Sequence, residues 1–353
     1  MKLLVLYEEL AGYFLSCVNK FSSQNGAEVY VFSKEINKEA PFEFKHTPFV
    51  FFYNQSDSTC EQIIAFAEDH KVDAIFCGGW INKKYLRVCK KYRKEIPVIL
   101  GFDNKWENTL KQNIASVFNS FVVKNYFNSC WVPGKKQFQF AKRLGFSKEE
   151  IQMGAYSADY NFFHAIYLAL REKKKNKFPH RFIFAGRYYE FKGIKDLWQA
   201  FSEVTAEFPN DWELWCFGTG DIPQIKHPKI KHFGFIQPQD MGKYISETGV
   251  FILASHFEPW GVVVHEFAAA GFPLVCSDEV GANETFLSQN ENGLVFKSKD
   301  VAGLKSAIKK IISMPDENLF QMGERSAELA SQITPEKWAV TLLSIIQHYS
   351  NSK

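Results

Sequence analysis

The sequence predicts an α/β chain of two Rossmann-like domains, each a parallel sheet covered on both faces by helices. Two observations predict it. Short apolar runs alternate with amphipathic stretches along the whole chain, and the alternation comes in two successive series. The length of 353 residues suits two domains of about 150 residues each. In the first series, residues 2–6, 28–32, 49–52, 74–77, 98–101 and 130–132 read as strands, with helical patterns such as 60–69 and 81–94 between them. The second series places strands at 181–185, 213–217, 230–233, 250–254, 274–276 and 293–296. Runs this short and apolar are buried on both faces, which implies parallel strands joined by crossover helices.

The polar run 171–177, followed by Phe178-Pro179, reads as a solvated linker. It divides the chain into a first domain at 1–170 and a second at 178–334. Thr334-Pro335-Glu336 is a helix start: a cap hydroxyl, a proline in the first turn and an acid near the positive end of the dipole. The last helix is expected to run to about residue 350.

Composition excludes several classes. With 46% hydrophobic and 23% charged residues, and 35 phenylalanines, the chain can bury large cores. A net charge of +3 is too small to mark a nucleic-acid binder. Residues 2–6 run directly into Tyr7-Glu8-Glu9 and read as a first strand rather than a signal peptide. No stretch approaches the ~18–20 apolar residues of a membrane span. Seven cysteines, at 17, 60, 77, 89, 130, 216 and 276, form no CxxC pair and sit mostly in apolar runs. Buried reduced thiols in a cytoplasmic protein are expected.

In open parallel sheets, ligands sit at the carboxyl ends of the strands, where strand order reverses. Three segments of the second series put suitable chemistry there. Strand 181–185 ends at Gly186 and leads through Arg187, Lys192 and Gly193 into a helix; a guanidinium fork and an ammonium at a helix start suit a diphosphate, and taken alone the two read equally as surface residues near a turn. Strand 213–217 runs into the turn Gly218-Thr219-Gly220, which alone is weak evidence because glycines end many strands. The third segment is 250–271. Its strand ends near Ser255, Pro259-Trp260-Gly261 turns the chain, and a helix starts at about Val262. The free amides of Gly261, Val262 and Val263 would face a phosphate. Glu258 lies before that helix and Glu266 one turn inside it, leaning back toward the same pocket. Helix-dipole chemistry accounts for one such acid, at roughly 0.3–1 kcal/mol. It does not account for Pro-Trp-Gly or for the small-residue run Ala268-Ala-Ala-Gly271.

Gly186-Arg187, Lys192-Gly193, the Gly218–Gly220 turn, Gly234-Phe-Ile236, Glu258-Pro-Trp-Gly, Glu266, Gly271-Phe-Pro273 and Gly281 resemble, in order and spacing, the retaining glycosyltransferases of the GT-B fold, family 4. The resemblance covers the second half and includes that family's two glutamates with seven residues between them. It implies two domains facing each other across a cleft, with the final helix (335–353) packing back on the first. It implies that Arg187 and Lys192 neutralise the donor's diphosphate as it leaves, and that amides near Gly261 and Val262 cap the same phosphate. Glu266 would accept from the ribose hydroxyls, Glu258 would orient the donor sugar, and backbone near Ile236 would meet the base. The Gly218–Gly220 turn belongs to the same donor site. No cofactor is implied, the nucleotide-sugar being a co-substrate. No Asp-x-Asp or metal-ligand spacing occurs, so no metal is expected.

The first half matches that family more loosely. Of the family's glycine-rich loop after the first strand, only Gly12 remains in Tyr7-Glu-Glu-Leu-Ala-Gly12. Asp103 stands where many relatives place a pocket histidine, and reads equally as an acceptor-positioning carboxylate or a helix cap. Trp106 reads as a sugar platform or a core residue. The pattern 81–94 predicts a basic amphipathic helix with Ile81, Tyr85, Val88 and Tyr92 buried. Its bases read as ordinary charged cover or as contact with anionic lipid at the inner membrane face, each worth roughly 1 kcal/mol. The expected partners are a nucleotide-sugar donor and a glycan or lipid-linked acceptor in surface polysaccharide or glycoconjugate synthesis. The alternatives are a non-catalytic sugar-nucleotide-binding subunit, a sugar phosphorylase, or a nucleotide-sugar epimerase of the same fold.

Overall fold

A computed structural model describes residues 1–36, 41–43, 47–110, 112–113 and 123–351. The chain divides into two units, one of Met1–Ser157 together with the final helix, the other of Ala158–Thr334. The last two residues of the segment 335–353 lie outside the described residues.

The first unit holds a parallel sheet of β1 (Lys2–Leu6), β2 (Glu28–Ser33), β3 (Val50–Asn54), β4 (Ala74–Gly78), β5 (Val98–Gly101), β6 (Ser129–Val132) and β7 (Ile151–Met153), in the order β3-β2-β1-β4-β5-β6-β7. Alternate strand residues feed opposite faces, as the period of two requires. Leu4, Leu6, Ile75 and Cys77 join one core, and Leu3, Val5, Ala74 and Phe76 the other. The final helix, Pro335–Asn351, completes the second core. Its Trp338 lies 4.7 Å from the Trp131 ring and 5.9 Å from Phe14, and its Nε1 donates to Ala155 O at 2.8 Å.

The second unit holds β8 (Arg181–Ala185), β9 (Glu213–Phe217), β10 (Ile230–His232), β11 (Val250–Leu253), β12 (Leu274–Ser277) and β13 (Gly293–Phe296), all parallel, in the order β10-β9-β8-β11-β12-β13. The apolar residues of β8, β11 and β12 are almost wholly buried.

Three expectations need correction. The run 171–177 is not a linker. It ends the helix Tyr160–Asn176, which belongs to the second unit, so the units meet at Ser157 and Ala158 rather than between 170 and 178. Distant partners hold those charges: Arg171 Nε donates to Glu324 at 2.8 Å, Lys173 Nζ to Glu247 at 3.1 Å, and Lys174 Nζ lies 3.7 Å from the Phe272 ring centre. The basic helix is shorter than 81–94, spanning Lys83–Tyr92 with Asn82 as its cap. Ile81 therefore precedes it and is 89% exposed, whereas Tyr85, Val88 and Tyr92 are buried. Strand β7 was not anticipated.

All seven cysteines are buried and free. No helix among the described residues is long and apolar enough to cross a membrane.

Candidate active site in the second unit

In the second sheet the strand order reverses between β8 and β11, and the carboxyl ends of strands at such a reversal are where open parallel sheets bind ligands. Backbone hydrogen bonds align the strand ends on one side of it. Gly186 N donates to Phe217 O at 3.0 Å, Tyr188 N to Thr219 O at 2.8 Å and Gly218 N to Gly234 O at 2.7 Å. These bonds bring Arg187, the turn containing Gly218 and Gly220, and the segment leading to Ile236 into one row. Arg187 and Ile236 are half-buried.

After Arg187 a short 3₁₀ turn, Glu190–Lys192, leads into the helix Ile194–Glu207. Gly193 between them has φ +64°, and a Cβ there would lie 1.9 Å from Ala254 O. Only glycine lets this turn close onto the end of β11. The turn is further tied by His256 N, which donates to Phe191 O at 2.8 Å.

On the other side, the loop after β11 is clasped by residues following β12. Gly281 N donates to Glu258 O at 3.1 Å and Ala282 N to Trp260 O at 2.8 Å, while Ser277 Oγ donates to Ser255 O at 2.5 Å. Gly261 (φ +92°) then starts the helix Val262–Ala269 without a side-chain cap. Its first amides, Val262 among them, have no acceptor within the helix and carry the positive end of its dipole.

The two sides meet through charge. Lys192 Nζ pairs with Glu258 Oε2, the side chains being 19% and 11% exposed. Ser255 Oγ donates to the same carboxylate oxygen at 3.4 Å. An ion pair this shielded is held by geometry as much as by attraction, because each charge has lost part of its hydration. Glu266 is half-buried, and its carboxyl is raised to about 7, chiefly by burial and secondarily by the Asp159 carboxylate. Its neighbour His265 is a core residue. Its Nδ1 accepts from Ala158 N at 3.0 Å and its Nε2–H faces Ala330 O at 2.9 Å; burial lowers it to about 4, so it is neutral.

Nine residues singled out from the sequence thus lie on the second unit: Arg187, Lys192, Gly218, Gly220, Ile236, Glu258, Gly261, Val262 and Glu266. Gly12 and Asp103 belong to the first unit. Gly12 opens the helix Gly12–Asn25, and a Cβ there would meet nothing within 4 Å. Asp103 caps no helix, since 102–109 is irregular. Its backbone oxygen accepts from Gln137 Nε2 at 2.9 Å, and the half-buried phenols of Tyr13 and Tyr156 are raised chiefly by desolvation and in part by its carboxylate. Trp106 packs 5.5 Å from Phe140 with Arg143 over its ring. Sequence reasoning missed Ser255 and Asp159, which no local pattern marks. Among the described residues no group of three or more His, Cys, Asp or Glu could hold a metal ion.

Residues 179–314 match the family model described as Glycosyl transferases group 1. The lipopolysaccharide core biosynthesis glycosyltransferase LpsE of Rhizobium meliloti is 31% identical over 160 residues, 43% of this chain and 45% of that protein. The chain spans less than half the length of the curated relatives it matches. Sucrose-phosphate synthase from Thermosynechococcus elongatus superposes with a TM-score of 0.75 at 16% identity, over 100% of both chains. Anabaena HepE in complex with UDP-glucose superposes with 0.69 at 15% identity, over 98% of this chain and 99% of that one. The protein has the GT-B fold of these solved structures, and its residues 179–314 are similar to the glycosyl transferases group 1 family.

Proposed function

We propose that the protein is a retaining, metal-independent glycosyltransferase of family 4, moving a hexose from a nucleotide-sugar to a hydroxyl acceptor. The observation that carries the reading is the Lys192–Glu258 pair across the β8/β11 crevice, beside the uncapped helix start at Gly261. Sugar transfer builds positive charge on the ring and negative charge on the departing phosphate, so cations fixed at the phosphate lower the barrier. Lys192 and Arg187 take that task, and the amides at Gly261 and Val262 cap the same oxygens. A donor diphosphate draws Lys192 from Glu258, which frees the carboxylate to accept from hydroxyls of the sugar. Glu266 takes the ribose hydroxyls, the segment at Ile236 meets the base, and the Gly218–Gly220 turn lets the nucleotide approach the backbone. Asp103 positions the acceptor hydroxyl, and Gly12 leaves room at the start of its helix.

The acceptor is a glycan or lipid-linked hydroxyl in surface polysaccharide or glycoconjugate synthesis, a class the likeness to LpsE supports. The protein works in the cytoplasm, in peripheral contact with anionic membrane. Support comes from the exposed positions of 81–94, which are Ile81, Lys83, Arg87, Lys90, Lys91 and Lys94, without one acid. Of these bases Lys91 pairs with Glu68. Equal co-sedimentation with neutral and anionic vesicles would remove the membrane from this account.

A thermal-shift panel of UDP-, GDP-, ADP- and CMP-linked sugars, run with EDTA, tests the function. One nucleotide class is expected to stabilise the wild type and not Glu266→Ala. If no donor shifts the wild type more than Glu266→Ala, or if binding needs added metal, the proposal fails.

A further inference from the structure

We infer that His256 and Asp196 form a positioning pair that sets where Lys192 stands relative to Glu258; the role of those two residues rests on the function proposed above. The geometry is local and complete within the second unit. His256 Nε2 lies 2.7 Å from Asp196 Oδ2, the side chains being 13% and 24% exposed. Asp196 is in the first turn of the helix Ile194–Glu207, four residues after Lys192, and His256 is two residues before Glu258.

The segment carrying Lys192 is held to the end of β11 at three points. Before Lys192, Phe191 O accepts from His256 N at 2.8 Å and from Phe257 N at 3.2 Å. After it, Gly193 packs where a Cβ would be 1.9 Å from Ala254 O. The third point is the His256–Asp196 bond, the one side-chain tether among them. The first two fix the backbone height of the turn. Burial of Ile194, Leu197 and Trp198 then seats the helix that follows against the second sheet, with Trp198 Nε1 donating to Cys216 Sγ at 3.4 Å. The bond from the first turn of that helix to His256 adds a side-chain tie between the segment carrying Lys192 and the loop carrying Glu258. A lysine has four rotatable side-chain bonds, and a buried ammonium loses much of its value when its partner shifts by an ångström.

An acid in the first turn of a helix is also explained by the dipole. That explanation assigns nothing to His256, which would then be free to face water. Instead the ring is mostly covered and directed at the carboxylate. The Asp196 carboxylate can only accept, so the ring's Nε2–H is the donor of this bond. Asparagine at 196 offers the same acceptor oxygen, and alanine offers none.

The test reads Lys192 directly in the 353-residue chain without nucleotide. Wild type, His256→Ala, Asp196→Ala and Asp196→Asn are labelled briefly with an amine-reactive reagent, and labelling of Lys192 is scored by mass spectrometry against the exposed Lys299. Both alanine variants are expected to raise relative labelling of Lys192 about threefold or more, as its pairing with Glu258 loosens, and Asp196→Asn to stay near wild type. Unchanged labelling in the alanine variants, or asparagine behaving as alanine, overturns the inference. A second arm compares UDP, GDP and ADP with their nucleosides. Loss of the tether is expected to weaken the bound diphosphate about tenfold and its nucleoside hardly at all, with no further loss in a Lys192→Ala background. Equal losses for diphosphate and nucleoside would mark a general structural defect and also overturn it. A wild type that binds no nucleotide counts against the proposed function, while the labelling still decides the positioning claim.

Discussion

The two units share one strand order around their first strands, yet they furnish the reversal point differently. In the second unit the crevice between β8 and β11 is lined by glycine turns, an uncapped helix start and the Lys192–Glu258 pair. In the first, the equivalent place between β1 and β4 is filled. The Tyr7 ring stacks on Phe14 at 4.3 Å and crosses Gly78 so closely that a Cβ there would lie 2.6 Å from it. The next residue, Glu8, is consumed by its own surroundings: Asn82 Nδ2 donates to it at 2.6 Å, Gln55 Nε2 at 3.3 Å, and Lys34 pairs with it. Topology offers the same reversal point twice, and the side chains put paired charges at the second and an aromatic stack at the first. Fold alone would not have distinguished the two.

The largest expected effect separates the units by chemistry. Lys192→Ala and Glu258→Gln should each lower kcat about 10²–10³-fold, the usual loss when one group stabilising transition-state charge is removed. Glu8→Gln, isosteric and far from that charge in sequence, should change kcat less than about twofold. Comparable losses in all three, measured by donor turnover, would break the comparison.

A second contrast concerns glycine. Gly193→Ala forces a left-handed residue against Ala254 O and should cost about 3 kcal/mol in urea unfolding. Gly12→Ala starts a helix with open space around it and should be neutral or stabilise by about 0.5 kcal/mol. Similar shifts would mean that the tight closure at Gly193 is not real.

A third, smaller effect follows from Glu266. Its carboxyl titrates near 7 in the folded protein against 4.5 when unperturbed, mainly through burial. Between those values the folded state binds more protons than the unfolded one, so this group's contribution to stability falls as pH rises from 4.5 through 7. Glu266→Gln cannot ionise. It should match wild type at pH 4 and exceed it at pH 8 by about 1–2 kcal/mol, while losing nucleotide affinity. A stability difference independent of pH would contradict the assignment.

Most of the scaffold was readable in advance because buried parallel strands are short apolar runs, as in Phe182-Ile183-Phe184 and Val250-Phe251-Ile252. Strand β7 was not, since only Ile151 of its three residues is buried and an edge strand carries little apolar signal. The basic end of the helix Tyr160–Asn176 looked like a linker because Glu324 and Glu247, which hold its charges, are remote in sequence. Site residues were legible one at a time from glycine turns and helix starts. Their pairing was not: Lys192 with Glu258 and Asp196 with His256 are about sixty residues apart, and only the strand order brings them together.

The central claim, that the nucleotide is held by the second unit's crevice, is tested most directly by isothermal titration of the full chain with the nucleoside diphosphate that stabilises it best. Lys192→Ala and Glu266→Ala are expected to weaken binding about tenfold or more, and Glu8→Gln to leave it unchanged. Wild-type affinity in both crevice variants, or an equal loss in Glu8→Gln, would contradict the account.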